Sequence, residues 1–187
     1  GSLDTPQTTT DRENAKTMRG TISTISCLAM LVLATPAAAQ LATQVGKHDA
    51  WGTYAYDQPN SGKVCYVLSV PVKGGMKPET LDHGKIYFLV SQKPGQNVFY
   101  EPQFIASYDF QTNSKVAVTV GEKSFSMFTR GKSAWMENAA EEPQLIASMR
   151  AGADMKVQAT SGRGNATSYT FSLRGITAAL NSIQTCQ

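Results

Sequence analysis

Short apolar segments that end at turn residues follow one another along most of this sequence, and they constrain its fold more than any other feature. Residues 63–70 and 85–91 are rich in β-branched and aromatic side chains. Residues 116–120 alternate between valine and smaller residues, and residues 121–123 then turn the chain into another such segment. Many short strands separated by turns are typical of a β-sandwich or barrel, not of a parallel α/β sheet. The pattern therefore predicts an all-β, antiparallel fold.

Two parts of the strand pattern are irregular. Residues 41–46 are polar and predict a lead-in without secondary structure. Residues 98–110 contain several aromatic side chains but also Pro102, which cannot donate a hydrogen bond to a neighbouring strand. We therefore expect a broken strand there, at a sheet edge or a bulge.

Two segments have helical periodicity instead. Glu141-Glu142-Pro143 is typical of a helix start, because proline fits the first turn and acidic residues interact favourably with the helix dipole. Gly152 is the expected end of that helix. Apolar residues recur at helical spacing in residues 176–183 and predict a short C-terminal helix that carries Cys186 at its end.

Residues 18–39 have the three parts of a secretory signal peptide. Met18 opens a basic start, residues 22–33 are largely apolar, and an Ala-x-Ala site ends at Ala39. Because of this site, we predict cleavage between Ala39 and Gln40. The apolar stretch is shorter than the roughly 20 residues that span a membrane, which argues against a stable membrane anchor. An uncleaved N-terminal membrane anchor is the alternative.

This assignment divides the chain into three parts. Residues 1–17 are polar, begin with the Gly-Ser of a tag remnant, and are an appended or upstream segment. Residues 18–39 are the signal peptide, and residues 40–187 are expected to form one domain with no stable membrane span after cleavage. Cys27 lies too early in the apolar stretch to be a lipoprotein site.

Cys65 and Cys186 are the two cysteines of residues 40–187. In an exported protein such a pair predicts a disulfide, although two buried free thiols are the alternative. A bridge that closes a loop of this length is worth up to roughly 4–5 kcal/mol in the chain-entropy model. Two cysteines alone do not provide the three or four ligands of a zinc site.

Catalytic patterns are weak in this chain. The two histidines each have an aspartate as neighbour, in His48-Asp49 and Asp82-His83, so a Ser-His-Asp arrangement is possible only if the fold assembles it. No serine lies in a G-x-S-x-G turn. Both histidines lie in polar stretches, and we expect them to be solvated loop residues.

Composition also argues against several classes of ligand. The formal net charge is +3, and the lysines and arginines form no run or stripe, so we expect no nucleic-acid binding. No metal-binding spacing such as H-E-x-x-H is present, and we predict neither a metal nor a cofactor. Residues 162–164 are glycine-rich but lie between two predicted strands, which favours a hairpin turn over a phosphate-binding loop.

A binding face is the remaining functional feature. Trp51, Tyr54 and Tyr56 could line such a face, together with Arg163 from the glycine-rich turn. The alternative is that the aromatic residues pack in the core, as strand aromatics commonly do. An open sheet edge that accepts a strand of a partner is a further possibility.

A series of short motifs occurs in a specific order along the chain. The motifs are Trp51, Lys63-Val64-Cys65-Tyr66, Ser69-Val70-Pro71, Phe88-Leu89-Val90, Ala134-Trp135, residues 147–152, residues 161–164, residues 169–175 and the C-terminal Cys186. This series resembles the invasion-associated locus B family of Gram-negative bacteria over essentially all of residues 40–187. The resemblance implies an immunoglobulin-like antiparallel β-sandwich, export to the periplasm or the outer-envelope surface, and in pathogens a link to host-cell invasion. It implies no catalytic residues.

The sequence thus predicts a non-catalytic, exported envelope protein that binds an unknown protein partner in the envelope or on host cells. A role in host-cell invasion or in envelope integrity fits this prediction. The alternatives are a periplasmic chaperone or small-ligand carrier and, on the basis of the two histidines, a hydrolase.

Overall fold

Eleven strands and two helices make up the part of the chain that the structure, a computed structural model, describes, which is residues 42–186. The predicted signal peptide, with Ala39 and Gln40, lies outside these residues. The strands are β1 (Thr43–His48), β2 (Trp51–Gln58), β3 (Gly62–Ser69), β4 (Met76–Lys77), β5 (Tyr87–Lys93), β6 (Val98–Ile105), β7 (Lys115–Val120), β8 (Lys123–Arg130), β9 (Ser133–Met136), β10 (Asp154–Thr160) and β11 (Ala166–Ser172), and the helices are α1 (Glu142–Ala151) and α2 (Ile176–Ser182).

All strand pairs are antiparallel, and the strands follow one another in the order β1-β2-β3-β5-β6-β9-β8-β7-β10-β11-β4. The two halves of this sheet pack against each other through one face. The predicted antiparallel β-sandwich is therefore confirmed. Hydrogen bonds between β6 and β9 join the two layers, so that the sheet is continuous and has only β1 and β4 at its edges.

Aromatic side chains from both layers meet in the core. The ring of Phe104 on β6 lies 6.4 Å from that of Phe171 and 5.5 Å from that of Tyr169, both on β11. Phe88 on β5 also contacts Phe171, with 5.9 Å between the ring centroids. All four side chains are fully buried. Alternation along each strand directs these residues inward, and their burial is a principal source of the stability of the fold.

Both predicted helices are present. α1 begins at Glu142 with Pro143 in its first turn and ends before Gly152, as the sequence indicates. α2 lies at the C-terminus and is followed by Cys186, which is bonded to Cys65 on β3 with 5.8 Å between the Cα atoms. The predicted disulfide thus connects the end of the chain to the middle of one layer.

One strand prediction needs correction, and one is confirmed. Residues 43–48 form the edge strand β1 instead of an unstructured lead-in, because main-chain hydrogen bonds to β2 do not require an apolar pattern. The bulge expected near Pro102 is present, since the register with β5 shifts beside residues 98–101. β6 is an interior strand, but β9 pairs with it only from Gln103 onward, so Pro102 has a strand partner on the β5 side alone and disrupts no hydrogen bond to β9.

Candidate functional site

The four predicted binding-face residues do not lie together. Trp51 is fully buried, and its Nε1 donates a hydrogen bond to the carbonyl oxygen of Ser172 at 3.0 Å, so it belongs to the core and its assignment to a binding face is wrong. Tyr54 and Tyr56 lie on the opposite face of the same strand, because successive side chains alternate. Arg163 is exposed in the turn between β10 and β11.

Tyr54 and Tyr56 form a cluster with Tyr66 of the neighbouring strand. The rings of Tyr54 and Tyr66 stack with 5.2 Å between their centroids, and Tyr56 contacts Tyr66 edge-on at 6.5 Å. Burial, and the proximity of the other two phenols, raise the pKa of the Tyr66 hydroxyl above its ordinary value. All three side chains remain partly exposed. The cluster therefore presents three phenol side chains on the outer face of the sandwich.

An apolar row crosses this outer face next to the tyrosines. We use the name outer row for five residues that pair in register across neighbouring strands: Leu68, Leu89, Gln103, Trp135 and Phe128. The first four are partly exposed, and Phe128 is 39% exposed. Phe128 and Trp135 stack with 5.8 Å between their ring centroids. The strand pattern of the sequence did not predict this exposure.

The charges around the outer row are unevenly paired. Lys93 and Glu101, which lie on β5 and β6, form an ion pair at 2.6 Å and neutralise each other. Arg130 lies opposite Ser133 at the end of β8, is exposed, and forms no ion pair within residues 42–186. The row thus has an unpaired cation beside its Trp135 and Phe128 end.

The open edge at β1 is less suited to binding. Val45 is 63% exposed on this strand, but a bulge between Gln44 and Gly46 interrupts its register with β2. Lys47 follows on the same strand. Bulges and lysines on an edge strand hinder the addition of another strand. The sheet face, not the sheet edge, is therefore the better candidate for a protein-binding surface.

A polar cleft of about 670 Å³ lies where four loops meet, and it includes Arg163. Its lining comes from residues 81–84, 107–109, Lys132 and 161–167. The floor contains His83, Tyr108 and Thr167, and charged side chains form the rim. The sequence indicated Arg163 as a candidate binding residue, but no sequence pattern places it beside the other three loops.

His83 is only 5% exposed, so the predicted solvated loop position is wrong for it. Its Nδ1 lies 3.0 Å from the hydroxyl of Tyr169, and its Nε2 lies 2.8 Å from the carbonyl oxygen of Pro78. The Tyr169 hydroxyl contacts that of Tyr108 at 2.7 Å, and Tyr108 contacts Thr167 at 2.9 Å. Buried polar groups need such partners, and these allow the imidazole to lie inside the fold.

The same network keeps Tyr169 protonated. Burial raises the pKa of its hydroxyl well above the ordinary value; the contact with Tyr108 acts in the same direction, and the hydrogen bond with Thr167 opposes it. Within residues 42–186, neither histidine is hydrogen-bonded to an aspartate; Asp82 instead accepts from the Gly84 N–H at 2.9 Å. The described part of the chain also lacks a group of three potential metal ligands. The geometry supports binding more directly than catalysis.

These features define a class of protein: an all-β sandwich with a disulfide-tied C-terminal helix, an apolar outer face and a polar cleft. No helix of residues 42–186 is long and apolar enough to cross a membrane. Residues 51–184 match the model of the Invasion associated locus B (IalB) protein family. The chain therefore belongs to this family.

A solved structure has a similar fold. It is the crystal structure of invasion associated protein B from Bartonella henselae, with a TM-score of 0.52 and 15% sequence identity. The similarity covers 77% of this chain and 96% of that chain. No curated protein matches the sequence. At this level of identity the likeness shows the fold alone.

Proposed function

We propose that this protein is an exported, non-catalytic binding protein of the bacterial envelope, and that the outer row binds a protein partner. The observation that carries the proposal is the register of Leu68, Leu89, Trp135 and Phe128, which continues through Gln103 along the outer side of the sheet where β6 and β9 join the two layers. A contribution to host-cell invasion or to envelope integrity would follow from the identity of the partner.

The composition of the outer face resembles that of protein interfaces. Tryptophan, tyrosine and arginine dominate the residues that contribute most to binding between proteins. Trp135, the cluster around Tyr66 and the unpaired Arg130 provide all three types on one face. Because Arg130 is the unpaired charge beside the row, we expect an apolar contact surface on the partner with a carboxylate facing Arg130.

Crosslinking at defined positions tests this surface. A photoreactive p-benzoylphenylalanine replaces Leu89 in the protein expressed in a Gram-negative host, and the same residue replaces the exposed Gln111 as a control. We expect one discrete crosslinked protein from position 89 and none from position 111. The crosslinked protein is then purified and its affinity is measured. Trp135→Ala should weaken binding about tenfold or more.

Arg130→Gln should lower the association rate and its salt dependence, because a charge at the rim steers encounter. Lys123→Gln, at the start of β8 and therefore at the opposite end of that strand from Arg130, is its matched control. Equal crosslinking from both positions, or an affinity that Trp135→Ala leaves unchanged, would refute the outer row as the binding surface.

Export is supported by the signal-peptide pattern of residues 18–39 and by the Cys65–Cys186 bridge, since disulfides persist in oxidising compartments. Intact mass of the protein from such cells, without reducing agent, should give a chain that begins at Gln40 and has lost two hydrogens. Protease treatment of intact and osmotically opened cells then separates surface display from the periplasm. A chain that retains Met18 would refute cleavage at Ala39.

A further inference from the structure

The polar cleft is a preformed feature, because hydrogen bonds connect its loops. Ser107 Oγ donates to the carbonyl oxygen of His83 at 2.9 Å, and the Gly162 N–H donates to that of Asp109 at 2.8 Å. The Ala106 N–H donates to the Lys132 carbonyl oxygen at 2.9 Å. The four loops thus hold one another in place, and a ligand would not have to order them.

Close packing also specifies this shape. Gly84 has a φ of +59°, and a Cβ atom on it would lie 2.2 Å from Ser107 Oγ. Any other residue there would push the two loops apart. The glycine therefore maintains the contact between the loop of residues 81–84 and the start of the loop at residue 107.

The charges of the rim are balanced. Asp82 and Asp109 supply two carboxylates, and Lys132 and Arg163 supply two cations. None of these four side chains forms an ion pair within residues 42–186. The rim therefore offers both donors and acceptors without favouring a ligand of either net charge.

The polar groups of the floor form a chain of hydrogen bonds. The carbonyl oxygen of Pro78 can only accept, so Nε2 of His83 carries a proton, and in a neutral imidazole Nδ1 accepts from Tyr169. Tyr108 then donates to Tyr169. Thr167 lies 2.9 Å from the Tyr108 hydroxyl and 3.2 Å from the carbonyl oxygen of Ala159. This chain holds the Tyr108 side chain in place at the floor of the cleft.

We propose that the polar cleft binds a neutral oligosaccharide. A sugar hydroxyl donates and accepts at once, which matches a rim that offers both donors and acceptors. The partly exposed ring of Tyr108 supplies an apolar surface for the C–H groups of a sugar ring. The volume of about 670 Å³ lies within the range of small-ligand sites, roughly 300–1,000 Å³. A ligand with one net charge would gain no net attraction from the balanced rim, and an apolar ligand would desolvate four charges.

A glycan array and an NMR titration test the proposal together. The full protein is screened on an array of neutral and acidic glycans, and chitotriose, maltotriose and the best neutral glycan of the array are titrated while the backbone amides are observed. We expect saturable shifts at the amides of Gly84, Gly162 and Asn165. An acidic glycan and a zwitterionic tripeptide of similar size should bind more weakly.

Matched variants locate the binding. Arg163→Gln and Asp109→Asn should each raise the dissociation constant about tenfold or more, whereas Arg174→Gln and Asp57→Asn, which change exposed residues elsewhere, should leave it unchanged. Melting temperatures show that each variant is folded. Trp135→Ala should bind the glycan normally, which separates this site from the outer row.

Three results would overturn the proposal. They are the absence of any neutral glycan among the binders, tighter binding of the acidic glycan or of the peptide, and equal losses in the cleft variants and their controls.

Discussion

The two faces of the sheet differ in exposure although the same strands form both. Phe88 on β5 and Ala134 on β9 are fully buried on the inner face. Leu89 and Trp135, their neighbours in sequence, remain partly exposed on the outer face. The inner residues are explained by the core that they build. The outer residues are as apolar but contribute little to that core. We infer that their apolar side chains contact a partner.

Truncation on each face should separate these two roles most clearly. We expect Phe104→Ala on the inner face to lower the free energy of unfolding by about 3–5 kcal/mol, because it removes ring contacts and leaves a cavity. Trp135→Ala on the outer face should cost about 1 kcal/mol, mainly through the lost stacking with Phe128. Urea unfolding measures both values. Equal losses would mean that the outer row is part of the core, not a binding surface.

The disulfide should have the next largest effect, since Cys65 is an inner-face residue of β3. Cys186→Ala should lower the free energy of unfolding by about 2–5 kcal/mol, because the unfolded chain loses a long-range constraint. Ser182→Ala in the same helix is the control. The two proteins should converge when a reducing agent is present throughout. A Cys186→Ala protein as stable as the oxidised parent would show that packing of α2 alone holds the C-terminus.

Local pattern was sufficient to predict much of the fold. Alternation in residues 116–120 predicted β7, and Glu141 to Gly152 predicted α1 with both ends. Residues 43–48 were missed because an edge strand is stabilised by main-chain hydrogen bonds, which leave no apolar signature. The joining of both layers into one sheet depends on the short pairing of β6 with β9, which is a long-range contact.

The binding surfaces were less predictable for the same reason. Alternation alone places Trp51 and Tyr54 on opposite faces of β2, so the sequence held a signal that would have separated them. The outer row depends on the register of five strands, and no local pattern reports register. The cleft is formed by loops that are far apart in the sequence. The burial of His83, which lies in one of these loops, depends on its hydrogen bond to Tyr169 on β11.

A third comparison concerns hydroxyl groups on the two faces. Tyr169→Phe on the inner face should lower the free energy of unfolding by about 1–3 kcal/mol, because His83 Nδ1 and the Tyr108 hydroxyl would lose a buried partner. Tyr54→Phe on the outer face should change it by less than about 0.5 kcal/mol, since water can replace any lost contact. Thermal unfolding of the pair checks this difference. A Tyr169→Phe variant as stable as the parent would show that the buried network is not required for the stability of the fold.

The smallest expected effect lies where α1 contacts β6. Partial burial, and then the nearby negative charge of Glu101, raise the pKa of the Glu142 carboxyl above its ordinary value. The folded state then binds a proton more readily than the unfolded state, so ionised Glu142 destabilises the fold at neutral pH. This penalty shrinks as the pH falls through the raised pKa and is absent below the ordinary carboxyl pKa.

Glu142→Gln should therefore raise the melting temperature slightly at pH 7 and leave it unchanged near pH 3. Glu141→Gln is the control, and since Glu142 keeps solvent contact, we expect a gain of at most a few degrees. A gain that is larger at low pH than at neutral pH would contradict the sign of this shift, and with it the assignment of Glu101 as a neighbour that repels Glu142.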